Sequence, residues 1–243
     1  MRASEDENPL DNPVWHALGG ALSRFAVSPP AAFLRRFDSE VSPFSAVRDV
    51  DASTWDQIAA EIGPEGFCNL FRAEIPPRPE GWEEHFRGVC LQLVAGDLAG
   101  VSAVDLDPER LDLGDAEEAV ALTALTEPGP FLARTIGLGR YVGVRQNGRL
   151  MAMAGERFRV PGFVEISAVC THPDVRGRGF GAALTLDVAH AIRRRGEEAF
   201  LHVLEDNPGA IALYERLGFV LRRRIEVVSV QWRGPHWRPE QAV

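Results

Sequence analysis

Apolar positions along this chain follow two rhythms that change at a glycine-rich turn. From Phe163 to Cys170 the chain reads as a largely apolar strand. Beyond Gly181 the spacing becomes helical, from Ala182 to Arg195, and stops at Gly196, a residue suited to a left-handed helix cap. Just upstream, Arg140 to Gln146 and Arg149 to Arg157 are strand patterns flanking Asn147-Gly148, a strong hairpin signal. Downstream, Phe200 to Leu204 predicts another strand. Asn207-Pro208 opens a helix whose apolar set is Ile211, Leu213, Tyr214 and Leu217, closing at Gly218. Phe219 to Trp232 completes the pattern as one or two strands. Before the hairpin, Asp115 to Leu125 predicts an amphipathic helix with an acidic start, and Phe131 to Ile136 a second, shorter one.

The first half is more broken. Prolines interrupt it at Ser28-Pro29-Pro30, at Ile75-Pro76-Pro77-Arg78-Pro79 and at Asp107-Pro108. Between them, Asp11-Asn12-Pro13 caps a helix carrying Val14, Trp15, Ala17 and Leu18. Ser53 or Thr54 caps another, with Trp55, Ile58 and Ile62 on one face. Gly66 to Arg72 and Val89 to Val94 read as strands. The turn-rich, acidic segment from Ala95 to Asp112 is the predicted boundary, giving an N-terminal α+β region over 1–112 and a domain over 113–243. The fold class is α/β, with a mixed, mostly antiparallel central sheet and helices on both faces.

Composition narrows the chemistry. With 45% hydrophobic and 25% charged residues, 243 residues are ample for a buried core. No apolar run approaches the roughly 18 residues of a membrane helix, and Met1 to Asn12 is acidic and polar, unlike a secretory leader. A net charge of −9 argues against a nucleic-acid or membrane surface. The chain has no lysine, which excludes a Walker phosphate loop, a pyridoxal phosphate Schiff base and a lysine nucleophile. Cys68, Cys90 and Cys170 are too scattered for a disulfide framework or a metal site, so no metal is expected and a cytoplasmic location is.

The turn itself carries the most chemistry. Thr171-His172-Pro173-Asp174-Val175-Arg176-Gly177-Arg178-Gly179-Phe180-Gly181 joins the strand to the helix. Such a turn presents free backbone N–H groups at a helix N-terminus, and Arg176 and Arg178 add guanidinium forks, so it suits a phosphate. A dinucleotide site uses a similar turn, but here arginines stand where small residues should be and Ala182 occupies the last glycine of the G-x-G-x-x-G spacing. A plain glycine turn with solvated arginines is the bland alternative.

Arg176, Gly179 and Gly181 fill the pattern Gln/Arg-x-x-Gly-x-Gly/Ala, and Asn207 precedes Ala210-Ile211-Ala212-Leu213-Tyr214-Glu215-Arg216-Leu217-Gly218-Phe219. Together, over about residues 115 to 232, they resemble the GNAT superfamily of acyl-CoA-dependent N-acyltransferases. Glu165 to Pro173 is further similar to a poorly characterised bacterial subgroup, the FR-type GNAT proteins. The resemblance implies acetyl-CoA as co-substrate, its pyrophosphate on the N–H groups of Gly177, Arg178, Gly179, Phe180, Gly181 and Ala182. Val169, Cys170 and Thr171 would pair with the pantetheine arm as an added strand, and Asn207 would contact the same arm. It also implies a β-bulge that splays two parallel strands around the thioester, placed by the sequence at the residues after Pro173. The region 1–112 has no recognisable chemistry; it reads as a degenerate GNAT-like half, which its short strands and capped helices favour, or as an unrelated substrate lid.

Direct transfer to an amine needs a base for its proton and an acid for the leaving thiolate. The resemblance makes Tyr214 the acid, with core packing as the alternative. The base candidates are His202, which titrates in a suitable range and stands where some relatives carry glutamate, and Glu165, a carboxylate in an apolar strand. A core histidine, or a water-relayed path with no dedicated base, stays open. By strand alternation Glu165, Ser167 and Val169 share one face, with Ile166, Ala168 and Cys170 on the other. Cys170 lacks a histidine partner at helical or strand spacing, which argues against an acyl-enzyme. His172 reads as a loop contact and His190 as a solvated residue. Arg193-Arg194-Arg195 and Arg222-Arg223-Arg224 read as exposed ends, and Glu127 and Phe131 as lining for an acceptor cleft by family analogy. The expected activity is acetyl transfer to a primary amine of a small molecule or peptide, and a homodimer is compatible with it. The rival is a catalytically idle acyl-CoA-binding module.

Overall fold

The computed structural model describes residues 8–98 and 104–238. In chain order the regular elements are α1 (Pro13–Gly19), β1 (Leu34–Arg36), β2 (Phe44–Val47), α2 (Thr54–Ile62), β3 (Phe67–Arg72), β4 (Trp82–Ala95), β5 (Glu109–Leu111), α3 (Ala116–Thr126), β6 (Tyr141–Gln146), β7 (Arg149–Val160), β8 (Phe163–Thr171), α4 (Phe180–Arg194), β9 (Glu198–Leu204), α5 (Pro208–Arg216) and β10 (Phe219–Trp232). The described residues form two compact units, one of residues 8–38, 43–90 and 224–238, the other of 39–42, 91–98 and 104–223. This division differs from a cut at residue 112. The end of β4 belongs with the second unit, where Gly96 N–H donates to Gly218 O at 2.9 Å, and the last half of β10 belongs with the first.

In the first unit β2 and β3 pair in parallel, while β1–β2 and β3–β10 are antiparallel. Its core gathers Leu34, Trp55, Ile58, Leu70, Trp82, Val228 and Val230. Trp82 lies 5.1 Å, ring to ring, from both Trp55 and Trp232. The short strands β1 and β2 have three and four residues, too few for a period-2 pattern to show.

The second unit has the strand order β10-β4-β9-β8-β7-β6-β5. Helices α4 and α5 cover one face of it, with Leu184, Val188, Ile192, Tyr214 and Leu217 packed on Val164, Ile166 and Leu201. Helix α3 covers the other, with Leu122 in a cluster that holds Tyr141, Met153, Ala168 and Cys170. The β6–β7 hairpin turns at Asn147 and Gly148, both at positive φ (53° and 78°), as a type I′ turn requires. Asn207 caps α5, its Oδ1 accepting from Ala210 N–H at 3.0 Å.

The expected helix from Phe131 to Ile136 is instead an irregular segment followed by a 3₁₀ turn, Thr135–Leu138. The Thr135 hydroxyl accepts the Leu132 N–H (2.8 Å) and donates to Val41 O (2.6 Å), which diverts hydrogen bonds a helix would use.

Candidate functional site

Strand β8 is the organising element. It pairs antiparallel with β7, but the register steps from Gly155↔Ser167 to Met153↔Cys170, so β8 carries one extra residue. That residue is accommodated at Ala168, whose φ of 53° is left-handed. Two expectations change as a result. The bulge sits at Ala168 rather than after Pro173. The alternation also flips there: Ile166 and Val169 pack on the α4 side, whereas Ala168 and Cys170 pack on the α3 side.

Across β8, parallel pairing with β9 runs from Phe163↔Glu198 to Ile166↔Leu201 and stops, although the strands continue to Thr171 and Leu204. The two strands therefore part at the bulge. At the mouth of that opening lies the glycine turn, where Gly177 and Gly179 hold φ of 75° and 81°. A Cβ on Gly181 would stand 3.5 Å from Thr171 Oγ1, 3.8 Å from Val169 Cγ1 and 3.9 Å from Leu213 Cδ2. The start of α4 thus lies against the end of β8 and against α5, which brings Val169, Thr171 and Gly181 together. Helix geometry leaves the N–H groups of the first turn of α4, from Phe180 to Ala182, without intrahelical partners. Arg176 Nε donates to Thr171 O at 3.3 Å, and Arg178 is exposed. Splayed strands and an open amide turn fit a phosphate-bearing cofactor with an extended arm.

Below the bulge the same strand holds a buried ion pair. Glu165, with no exposed surface, accepts from Arg157 Nε at 2.7 Å and Nη2 at 2.6 Å, and lies 2.7 Å from His202 Nδ1. Burial alone would push the Glu165 carboxyl up, but the Arg157 charge and hydrogen bonds, aided by His202, hold it down at about 2. An ionised carboxylate can only accept, so His202 Nδ1 carries the proton. On the other side of the ring, Gln92 Nε2 lies 3.0 Å from His202 Nε2, and Arg222 Nη1 donates to Gln92 Oε1 at 2.7 Å. The arginine fixes Gln92 with its amide nitrogen toward the ring, so His202 Nε2 is an acceptor and the ring is neutral. Burial holds the histidine below its ordinary value, against the pull of Glu165.

Tyr214 is buried on α5, edge-on to Phe219 at 6.1 Å. Burial, with Cys170 nearby, raises its phenol to about 12, so it stays protonated. Cys170 is raised by burial to about 11 and bonds to Thr126 at the end of α3, as expected of a packing thiol rather than a nucleophile. His172 is buried at the loop start, its Nδ1 accepting from Asp174 N–H at 3.2 Å, and His190 is exposed. Glu127 and Phe131 line a cavity of about 300 Å³ with Val120, Thr123, Ala124 and Gly129, Glu127 at a left-handed φ of 49°. Arg157 and Gln92 were not singled out by sequence, because each reads alone as an ordinary polar strand residue; Arg222, expected at an exposed end, is instead half-buried within β10 and bonded to Gln92. Among the described residues no cluster of three or more His, Cys, Asp or Glu side chains could hold a metal ion.

A family model described as FR47-like protein matches residues 141–228. Mycothiol acetyltransferase of Saccharomonospora viridis is 36% identical over 120 residues, which are 48% of this chain and 39% of that protein. N-alpha-acetyltransferase RimI of Mycobacterium tuberculosis is 38% identical over 95 residues, 37% of this chain and 59% of that one. The chain therefore matches less than two thirds of either protein's length. A solved structure from Novosphingobium aromaticivorans, assigned to the GNAT family of acetyltransferases, is 37% identical with a TM-score of 0.82, covering 92% of this chain and 98% of that one. A GCN5-related N-acetyltransferase from Kribbella flavida shares the fold at 19% identity and a TM-score of 0.64, over 93% of this chain and 97% of its own.

Proposed function

This chain belongs to the GNAT family of acetyltransferases, and on that premise we propose that it moves an acetyl group from acetyl-CoA directly to a primary amine of a small molecule or peptide. The observation that carries this is the parting of β8 and β9 beyond Ile166 and Leu201, beside the open start of α4. The N–H groups from Gly177 to Ala182, with Arg176 and Arg178, hold the pyrophosphate. Val169, Cys170 and Thr171 receive the extended arm along the unpaired edge of β8. Asn207 Oδ1 caps α5, leaving its amide nitrogen for a carbonyl of that arm. Acetyl-CoA supplies the acyl group as a thioester.

Tyr214, protonated throughout the physiological range, gives its proton to the departing thiolate. His202 takes the amine proton at Nε2, and Glu165 holds the ring in the tautomer that leaves this lone pair available. Glu165 serves as an anchor rather than as the base, because a carboxylate at about 2 is too weakly basic for the task. The cavity beside Glu127 and Phe131 takes the acceptor, with Glu127 offering a carboxylate to a cationic amine. The relatives' names point both ways, to a small molecule and to an α-amine. One observation favours a second proton path: His202 Nε2 is already hydrogen-bonded and its side chain is almost wholly buried, which suits a water relay with no dedicated base.

The test is Tyr214→Phe. Loss of the acid lowers kcat by about 10²-fold or more, with CoA affinity by calorimetry unchanged. Unaltered turnover removes Tyr214 from the mechanism, and an idle CoA-binding module gives CoA binding with no turnover in the parent protein. His202→Gln separates the two proton paths, since only the first predicts a comparable loss.

A further inference from the structure

Five strands contribute to one hydrogen-bonded chain centred on an imidazole. His202 on β9 meets Glu165 of β8 at Nδ1 and Gln92 of β4 at Nε2, while Arg157 of β7 clamps Glu165 and Arg222 of β10 clamps Gln92. The two clamps are chemically opposite. Glu165 offers an acceptor and invites a proton. Gln92 offers an N–H donor, and a donor facing Nε2 repels a second proton there.

The order of the five groups fixes the direction of every hydrogen bond. Arg222 can only donate, so Gln92 Oε1 must receive it and the Gln92 amide nitrogen must point at the ring. Arg157 can only donate, so Glu165 stays ionised and must receive from Nδ1. No rotation of the amide or exchange of the tautomer satisfies both ends. Gln92 is fully buried, so water does not substitute for its amide at no cost.

We propose that Gln92, oriented by Arg222, is a positioning residue that keeps His202 neutral with its Nε2 lone pair directed at the amide. The charged groups facing the ring are Glu165, which favours protonation, and Arg157 and Arg222, which oppose it alongside burial. Gln92 adds the short-range, directional part that charge alone lacks. The catalytic use of Nε2 rests on the first proton path above; the tautomer and its control by Gln92 do not.

The test combines ring nitrogen NMR on ¹⁵N-histidine protein with pH profiles of kcat/KM. The His202 signals are assigned by their loss in His202→Gln. In the parent protein the expected spectrum is a neutral Nδ1–H ring that does not titrate between pH 5.5 and 8. In Gln92→Glu the Arg222 contact persists through one carboxylate oxygen and the other accepts from Nε2, so His202 becomes a doubly protonated imidazolium near pH 7. The acid limb of kcat/KM then moves up by about one pH unit, a tenfold loss at a fixed pH on that limb. Gln92→Met, close in size and without a donor, provides a variant with no new buried charge. Its ring begins to titrate within the window and its profile moves in the same direction by a smaller amount. An Nε2–H ring in the parent protein, or unchanged ring signals in both folded variants, overturns the inference. Should the ring signals shift as expected while His202→Gln turns over like the parent, the positioning role stands and the base assignment falls.

Discussion

The two units handle charge in opposite ways. In the first, the core is apolar and aromatic, built around Trp55, Trp82 and Trp232. Its buried polar side chains, among them Asn12, Thr54 and Asn69, are neutral. Its ion pairs lie on the surface, as where Arg87 meets Glu84 and Glu226 at 3.0 and 2.9 Å. The second unit buries Arg157, Glu165 and Glu156 within its sheet. Burying charge costs several kcal/mol per ion before pairing returns any of it. A unit that only had to fold would do as the first does. The contrast locates the chemistry: the expensive groups stand next to the bulge and the parted strands.

Removing one carboxylate from an ion pair in each unit gives the largest expected difference between them. Glu165→Gln keeps the shape but leaves the Arg157 charge buried without its anion, and should cost about 3–5 kcal/mol in urea unfolding. Glu84→Gln, at a surface pair with Arg87, should cost less than about 1 kcal/mol. Equal losses would mean that the buried pair is no more than a surface pair that happens to be covered.

Much of the second unit could be read in advance because its punctuation is local. Gly196, Gly218, Asn207-Pro208 and Asn147-Gly148 mark element ends by backbone requirements that only a few residue types meet. Strand β8, Phe163–Thr171, covers the expected span from Phe163 to Cys170 and one residue more. The bulge was not legible, because it falls on an alanine: a left-handed φ usually announces itself as glycine, and Ala168 carries no such sign. The clamp on His202 was hidden for a different reason. Gln92 and His202 are 110 positions apart and Gln92 and Arg222 are 130 apart, and their pairing depends on strand order, which periodicity does not specify. Strands β1 and β2 escaped notice through shortness, and the first part of β4, ahead of the expected Val89 to Val94, through the largely polar run from Glu83 to Arg87.

Acid should sharpen the same contrast. The Glu165 carboxyl sits at about 2 in the fold against 4.5 unperturbed, so the unfolded chain binds that proton more readily. Its stabilisation is complete above about pH 4.5 and is lost as pH falls toward 2, by roughly 3 kcal/mol in all. His202 is also lowered from 6.5, so its contribution begins to fade below that pH. In the first unit Asp51 is lowered too, through hydrogen bonds from Ser53, but it is fully exposed. Glu165→Gln should therefore flatten the acid limb of a urea-midpoint profile, while Asp51→Asn leaves it nearly unchanged. An acid limb that survives Glu165→Gln intact would show that other carboxylates carry it.

The smallest effect on stability concerns backbone strain, which both units contain. In the first, Glu65 holds a φ of 60° in the turn before β3; in the second, Ala168 holds 53° inside a strand. A left-handed alanine costs about 1–2 kcal/mol, and glycine relieves this while adding unfolded-chain entropy worth about 0.4–1 kcal/mol. Ala168→Gly should thus leave stability within about 1 kcal/mol of the parent, where Ala152→Gly in the unstrained neighbouring strand loses at least that much. The two readouts should part company in kinetics. Freed from its single conformation, a glycine at the bulge no longer fixes where β8 leaves β9, and kcat should fall roughly threefold to tenfold through misplacement of the reacting groups. A variant with parental kcat would show that the neighbouring pairs, Gly155 with Ser167 and Met153 with Cys170, hold the opening without help from the strained residue between them.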